Sequence, residues 1–192
     1  MAVLPAEGVS FECDMPVVIV GAGACGLTAA LAAHDAGAEV LVLERDDQPR
    51  GSTSLSAGLI PAACTALQKA AGIDDSPALF AADLVAKTHD HTPPDMALRA
   101  AETSGPMIDW LVEAHGIEFE IVTGFLYPGH SRMRMHGPKS RTGADLEQAL
   151  LSAVGAAGID VMTGASVEDI FADAAGAVRG VRLRRPDGQV EV

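Results

Sequence analysis

The stretch Val17–Arg45, VVIVGAGACGLTAALAAHDAGAEVLVLER, decides the fold. Pro16–Val20 is a short apolar run, which reads as a strand buried on both faces. Gly21, Gly23 and Gly26 follow in the spacing G-x-G-x-x-G, then a run with helical spacing that stops at Gly37. Ala38–Glu44 is a second apolar strand ending in an acid eighteen residues after Gly26. Together these make one βαβ unit with a right-handed crossover. Glycines in this spacing permit a tight turn, a close backbone approach to a pyrophosphate, and close packing of helix on strand. The helix start supplies free N–H groups and positive potential to the phosphates. Gly21, Gly23, Ala24, Cys25 and Gly26 therefore read as a pyrophosphate loop, and Glu44, with Arg45 beside it, as the ribose-reading position. An acid there disfavours a 2′-phosphate, so NADP is set aside and NAD or FAD remain.

The rest of the chain fits a globular protein. Its 192 residues suffice for one domain or one and a fraction, with 48% hydrophobic and 20% charged residues. No apolar run approaches the ~18 residues that span a bilayer. The first fifteen residues lack a basic start and a long apolar segment, so a cytoplasmic protein is expected. A net charge of −13 repels phosphate backbones, so nucleic-acid binding is not expected. Cys13, Cys25 and Cys64 show no C-x-x-C spacing, which argues against a disulfide framework and a zinc site.

Residues 1–14 read as a loose N-terminal arm and 15–192 as one α/β domain with a helical insertion over 62–116. In that insertion the spacing predicts a helix starting at Pro61. It also predicts one capped by Ser76, and one or two helices over 94–116 with a break at Gly105-Pro106. Ile117–Val122 alternates like a half-buried strand. A further helix, with Thr142 as its cap, leads to a strand at IDVMTG. Turn signals at DAAG and PDG then mark an antiparallel meander through the end of the chain.

The block GSTSLSAG, Gly51–Gly58, separates FAD from NAD. With the glycine loop and VLER, it resembles the start of the FAD-binding flavoproteins typified by fumarate reductase and succinate dehydrogenase flavoprotein subunits. Ketosteroid Δ1-dehydrogenases share the pattern. The segment RTGADLEQALLSAVGAAGIDVMTGASVEDIFADAAGAVRGV, Arg141–Val181, resembles the same family's later FAD segment. The resemblance implies a Rossmann-like FAD-binding domain: a parallel sheet with helices on both faces plus an antiparallel meander. It implies that Gly51, Ser52, Thr53, Ser56, Ala57 and Gly58 face the flavin and that the backbone of Val167 meets adenine. Small residues let backbone N–H groups approach a flavin edge, and hydroxyls can donate or accept as the ring changes redox state. One departure is the single glycine after Arg50, where the family often has two.

GHSRMRMHGPKSR, Gly129–Arg141, holds four of the thirteen Lys and Arg residues of an acidic chain. Read as extended, it puts Arg132, Arg134 and His136 on one face, which could hold a carboxylate. It also resembles a segment of soluble fumarate reductases, which implies the same role. A solvated basic loop is the alternative reading. His89 and His91 read as a surface pair rather than a metal site, and Cys25 as a small turn residue.

The implied activity is an FAD-dependent oxidoreductase moving a hydride between flavin N5 and a carbon–carbon bond activated by a carboxylate or carbonyl. The implied substrate is a small molecule, anionic or carbonyl-bearing, and the electron partner is left open. A steroid Δ1-dehydrogenase, or a nucleotide-binding fragment without redox activity, are the alternatives. The family continues into a further FAD-contacting turn and a substrate-capping domain. The resemblance therefore implies a truncated chain whose catalytic acid lies beyond Val192, and no catalytic residue is assigned within it.

Overall fold

A computed structural model describes residues 2–191. The described chain divides into two compact units: residues up to Leu55 together with those from Glu147 on, and Ser56–Leu146.

In the first unit a parallel sheet holds β2 (Val17–Val20), β3 (Val40–Leu43) and β7 (Asp160–Met162) in the order β2-β3-β7. Helix α1 (Ala24–Asp35) makes the crossover from β2 to β3 and buries Leu27, Ala30 and Leu31. The helix ends where Gly37, at φ +87°, turns the chain in a conformation that L side chains rarely adopt. Strand β3 is the buried one, because it has a neighbour on each edge. β2, expected to be buried on both faces, is an outer strand among the described residues, and Val18 and Val20 stay exposed.

The expected meander is present. β8 (Ser166–Ala172), β9 (Val178–Arg184) and β10 (Val190–Glu191) pair antiparallel in sequence. The N-terminal arm is not loose throughout. Ala2–Pro5 forms β1, parallel to β8, with Ala2 opposite Asp169 and Pro5 opposite Ala172. Its tolerance of Pro5 follows from its place at the edge of the β1-β8-β9-β10 sheet. Leu43, Ala165 and Leu183 form a core cluster, with Leu41, Met162, Val167 and Val181 packed on it.

The second unit carries three helices and a small antiparallel sheet, so it extends on both sides of the expected 62–116 insertion. β4 (Ile60–Pro61) and β5 (Glu120–Ile121) flank β6 (Met135–Gly137). Pro61 lies on outer strand β4 rather than opening a helix. Helix α2 (Ala66–Ala70) starts later, at a capping box in which Thr65 and Gln68 each bond the other's backbone N–H. Helix α3 (Pro77–Lys87) begins as expected: the Ser76 hydroxyl accepts from Leu79 N–H at 3.1 Å, and Pro77 takes the first turn.

Helix α4 (Pro94–Glu113) runs unbroken through Pro106. A Cβ on Gly105 would stand 2.0 Å from the Ala63 carbonyl oxygen, so the helix is held against that backbone at a point where only glycine fits. Phe80, Ala81, Ala97, Ala101 and Ala63 form the core there. Helix α5 (Gly143–Ala156) leads back to β7, with the Thr142 hydroxyl accepting from Asp145 N–H at 3.3 Å. Among the described residues no helix is long and apolar enough to cross a membrane.

Candidate functional site: a glycine loop and its acid

The first unit brings the loop, the acid and part of the hydroxyl block together. Gly21 N–H donates to Leu43 O at 2.7 Å, with φ +101°. A Cβ on Gly26 would lie 1.9 Å from Gly21 O, so α1 packs directly on the turn. Gly23 is the residue that caps α1, and it offers no side-chain acceptor. The first turn of α1 contains no acid, which keeps its N–H groups and positive end suited to phosphate.

Glu44 is tied into this turn. One carboxylate oxygen accepts from Ala22 N–H at 2.8 Å and the other from Asp46 N–H at 3.0 Å. The acid at the end of β3 therefore fixes the loop between β2 and α1 and sets its own position at the same time. Arg45 points outward beside it, its Nε 3.1 Å from Asp46 Oδ1. Cys25 is exposed.

Thr53 seats on the same helix. Its hydroxyl oxygen accepts from Ala24 N–H at 3.0 Å, supplying from a distant loop the cap that Gly23 lacks. Gly51 and Ser52 are exposed beside it. Val167 packs on the Leu43–Ala165–Leu183 cluster, and a β-bulge between Val167 and Asp169 leaves Glu168 outside the ladder.

Ser56, Ala57 and Gly58 belong to the second unit. Ser56 Oγ accepts from Gly58 N–H at 2.9 Å, and Ser56 O accepts from Gly143 N–H at 2.8 Å. Gly58 has φ +63°, and a Cβ there would lie 2.5 Å from Thr142 O.

The basic segment does not form one open cationic face. Of Arg132, Arg134 and His136, Arg132 alone is exposed, with Nε donating to Asp74 O at 2.9 Å. Arg134 is 1% exposed. Its Nε and Nη2 grip Asp75 at 2.7 and 2.8 Å, its Nη1 meets Asp83 at 2.5 Å, and its guanidinium lies 4.7 Å from the centre of the Phe80 ring. Burial pushes the Asp75 and Asp83 carboxyls up, but hydrogen bonds, first among them those from Arg134, outweigh it and hold both below the usual range. An anion would have to displace two carboxylates already in place. His136 is also buried: its Nδ1 faces Arg134 O at 2.7 Å and its Nε2 faces the Thr65 hydroxyl at 2.8 Å. Burial pushes it toward the neutral form.

Sequence reasoning missed Asp75, Asp83 and Thr65, which gain meaning only once β6 lies against the helices. It also missed Glu147, a buried acid on α5. That one left a trace, because Glu147 shares the helical stripe of Leu150 and Val154. Among the described residues no group of three or more His, Cys, Asp or Glu could hold a metal ion.

A βαβ turn with these glycines and an acid fixed at the next strand's end defines a dinucleotide-binding α/β protein. Residues 16–192 match the FAD binding domain family, and the chain belongs to it. The chain is 35% identical over 176 residues to an NADH:fumarate oxidoreductase of Klebsiella pneumoniae (strain 342), across 91% of this chain and 19% of that protein. The open conformation of a flavocytochrome c3 fumarate reductase superposes with a TM-score of 0.83 at 27% identity, over 91% of this chain and 31% of that one. The 3-ketosteroid-Δ4-(5α)-dehydrogenase of Rhodococcus jostii RHA1 shares the fold, with a TM-score of 0.81 at 24% identity over 97% of this chain and 45% of that one. The chain thus spans about a fifth to a half of the length of these proteins.

Proposed function

We propose that this chain is the FAD-holding part of an oxidoreductase of the fumarate reductase and succinate dehydrogenase flavoprotein kind. The observation that carries the reading is Glu44 clamped to Ala22 N–H at the mouth of a glycine turn. The donor set suits the cofactor. The α1 N-terminus carries no acid, and Gly23 has no side chain to block approach. Gly21, Gly23, Ala24, Cys25 and Gly26 would hold the pyrophosphate through backbone N–H groups. Glu44, with Arg45 beside it, would accept from the adenosine ribose hydroxyls, and the Val167 backbone would meet adenine.

Thr53 accepts from Ala24 N–H, which would place it beside the phosphate or the flavin. Gly51 and Ser52, and in the second unit Ser56, Ala57 and Gly58, would serve the flavin half. When bound, FAD supplies hydride exchange at N5 with a carbon–carbon bond activated by a carboxylate or carbonyl. The substrate is then a small anionic or carbonyl-bearing molecule. Of the three basic residues proposed to meet it, Arg132 is the one with an exposed guanidinium, and Arg134 and His136 would act by holding its strand. The fumarate-type reading is favoured over the steroid type because the fumarate relative is more similar in sequence, at 35% against 24% identity.

Purified protein should be yellow and release FAD on denaturation. Glu44→Arg should abolish that retention while leaving the circular dichroism of the fold intact. A colourless protein that cannot be reconstituted with FAD would sink the reading.

A further inference from the structure

The segment that carries Glu44 is backed by a turn, residues 163–165, which joins β7 to β8. Glu44 N–H donates to Met162 O at 2.8 Å, Ala165 N–H to Glu44 O at 2.7 Å, and Gly164 N–H to Asp46 O at 2.9 Å. On that turn rests a second one, between β9 and β10. Arg185 is half-buried, and its Nη1 donates to the Thr163 carbonyl oxygen at 3.0 Å. The Pro186 ring lies against Gly164: a Cβ there would stand 3.0 Å from Pro186 Cγ, and the φ of +60° is one that L side chains rarely adopt. The β9–β10 turn is itself closed, with Arg185 N–H donating to Gln189 O at 2.8 Å and Gly188 N–H to Arg185 O at 2.9 Å.

Thr163 C=O and Gly164 N–H belong to one peptide group. Arg185 therefore holds the carbonyl end of the peptide whose N–H end holds Asp46. A charged donor on the carbonyl polarises the peptide and strengthens the bond that its N–H makes. Asp46 is also the residue whose N–H donates to Glu44 Oε1 at 3.0 Å, while Ala22 N–H meets Oε2. The other arginines of the meander serve the meander itself: Arg179 pairs with Asp173, Arg182 with Asp169 and Arg184 with Glu168. Arg185 Nη1 instead reaches the turn behind the acid.

We propose that Arg185 is a positioning residue for the adenosine end of the cofactor site: through the Thr163–Gly164 peptide it seats Asp46, and through Asp46 the carboxylate of Glu44. Pro186 closes on the same turn. The choice of ligand rests on the FAD reading above, whereas the hydrogen-bond path stands without it. Removing the guanidinium loosens the bond from Gly164 N–H to Asp46 O, and Glu44 is then held less firmly toward the ribose hydroxyls. The affinity lost belongs to the adenosine half of the cofactor.

Two measurements on the full chain test this. The first is calorimetric titration with FAD, and with ADP as the adenosine half alone. Arg185→Met should weaken both by the same factor, about tenfold, the effect of one hydrogen bond from a charged group. Arg185→Lys, which keeps a charged donor, should restore most of the loss. The second is amide hydrogen exchange in protein without ligand. In Arg185→Met the Gly164 and Asp46 amides should exchange faster, while the Leu27 amide, bound to Gly23 O at 3.0 Å, should not change. Arg185→Asn, too short to reach Thr163 O, serves the same comparison should the methionine variant not fold. A folded variant with wild-type exchange at Gly164 and Asp46, or with wild-type affinity for both ligands, overturns the inference. Equal acceleration at Leu27 also overturns it, because the effect is then one of global stability. If wild type binds neither FAD nor ADP, the FAD reading falls, and the exchange rates still decide the role of Arg185.

Discussion

At the glycine loop of the first unit the polar work is done by backbone N–H groups. Ala22 and Asp46 N–H groups hold Glu44, and Ala24 N–H holds Thr53. In the second unit it is done by side chains: Arg134 between Asp75 and Asp83, His136 against Thr65, Gln68 Nε2 donating to Asp75 Oδ2 and Met133 O. The difference teaches which parts of the chain remain open to a ligand. Backbone donors at a helix start keep unused capacity, because the first turn has more N–H groups than partners. A guanidinium whose three nitrogens all meet carboxylates, with a side chain 0% exposed, keeps none to offer an anion.

The contrast breaks most sharply at Arg134. Arg134→Met leaves Asp75 buried without its cation, which should cost about 3–5 kcal/mol. Chemical denaturation followed by Trp110 fluorescence, a reporter inside the second unit, measures it. A loss well below 1 kcal/mol would show that the ion pair contributes little and would reopen Arg134 as a ligand contact.

A paired glycine test comes next. Gly26→Ala and Gly105→Ala each force a Cβ onto a carbonyl oxygen, at 1.9 and 2.0 Å, and each should destabilise by about 1–3 kcal/mol. They should differ in function. Gly26→Ala displaces the phosphate end of α1 and should reduce FAD retention at temperatures where the protein remains folded, whereas Gly105→Ala should leave it unchanged. Equal flavin content in both variants would erase the distinction between the units.

Acid sharpens the same comparison. Arg134 and its companion hydrogen bonds hold Asp75 and Asp83 below the usual carboxylate range against the upward push of burial. Their contribution is fully present above the unfolded value of about 3.9 and is lost as pH falls through the lowered folded values. Trp110 fluorescence should therefore show the second unit losing stability below about pH 4. Asp75→Asn should be weaker at neutral pH and show a flatter acid dependence.

The smallest effect is expected at Thr53. Thr53→Ala removes the cap on Ala24 and should cost about 1 kcal/mol with a modest rise in the FAD dissociation constant, and Thr53→Ser should restore both. Denaturation and fluorescence titration read the two quantities separately.

Much of this was legible along the chain. The glycine spacing, the acid after the second strand, the Ser76 and Thr142 caps and the two meander turns are local signals, each written within a few residues. The later start of α2 was also legible, since Thr65-x-x-Gln68 is a capping-box pattern, but Pro61 gave a competing helix signal. α4 shows the limit of local rules. Pro106 marks a possible break, yet the helix continues through it, with Gly105 packed closely on the Ala63 backbone.

By itself, then, the sequence determined the βαβ unit, its cofactor class and the identity of the loop residues, because a turn and a cap depend on neighbours in the chain. Tertiary structure alone decided that Thr53 caps a helix nearly thirty residues upstream, that β1 pairs with β8, and that Glu147 is buried. It also turned Arg134 from a cation in a basic run into the centre of a closed ion-pair cluster. The reason is physical: what a charge can do depends on which distant groups reach it and how much water remains, and neither is written in spacing.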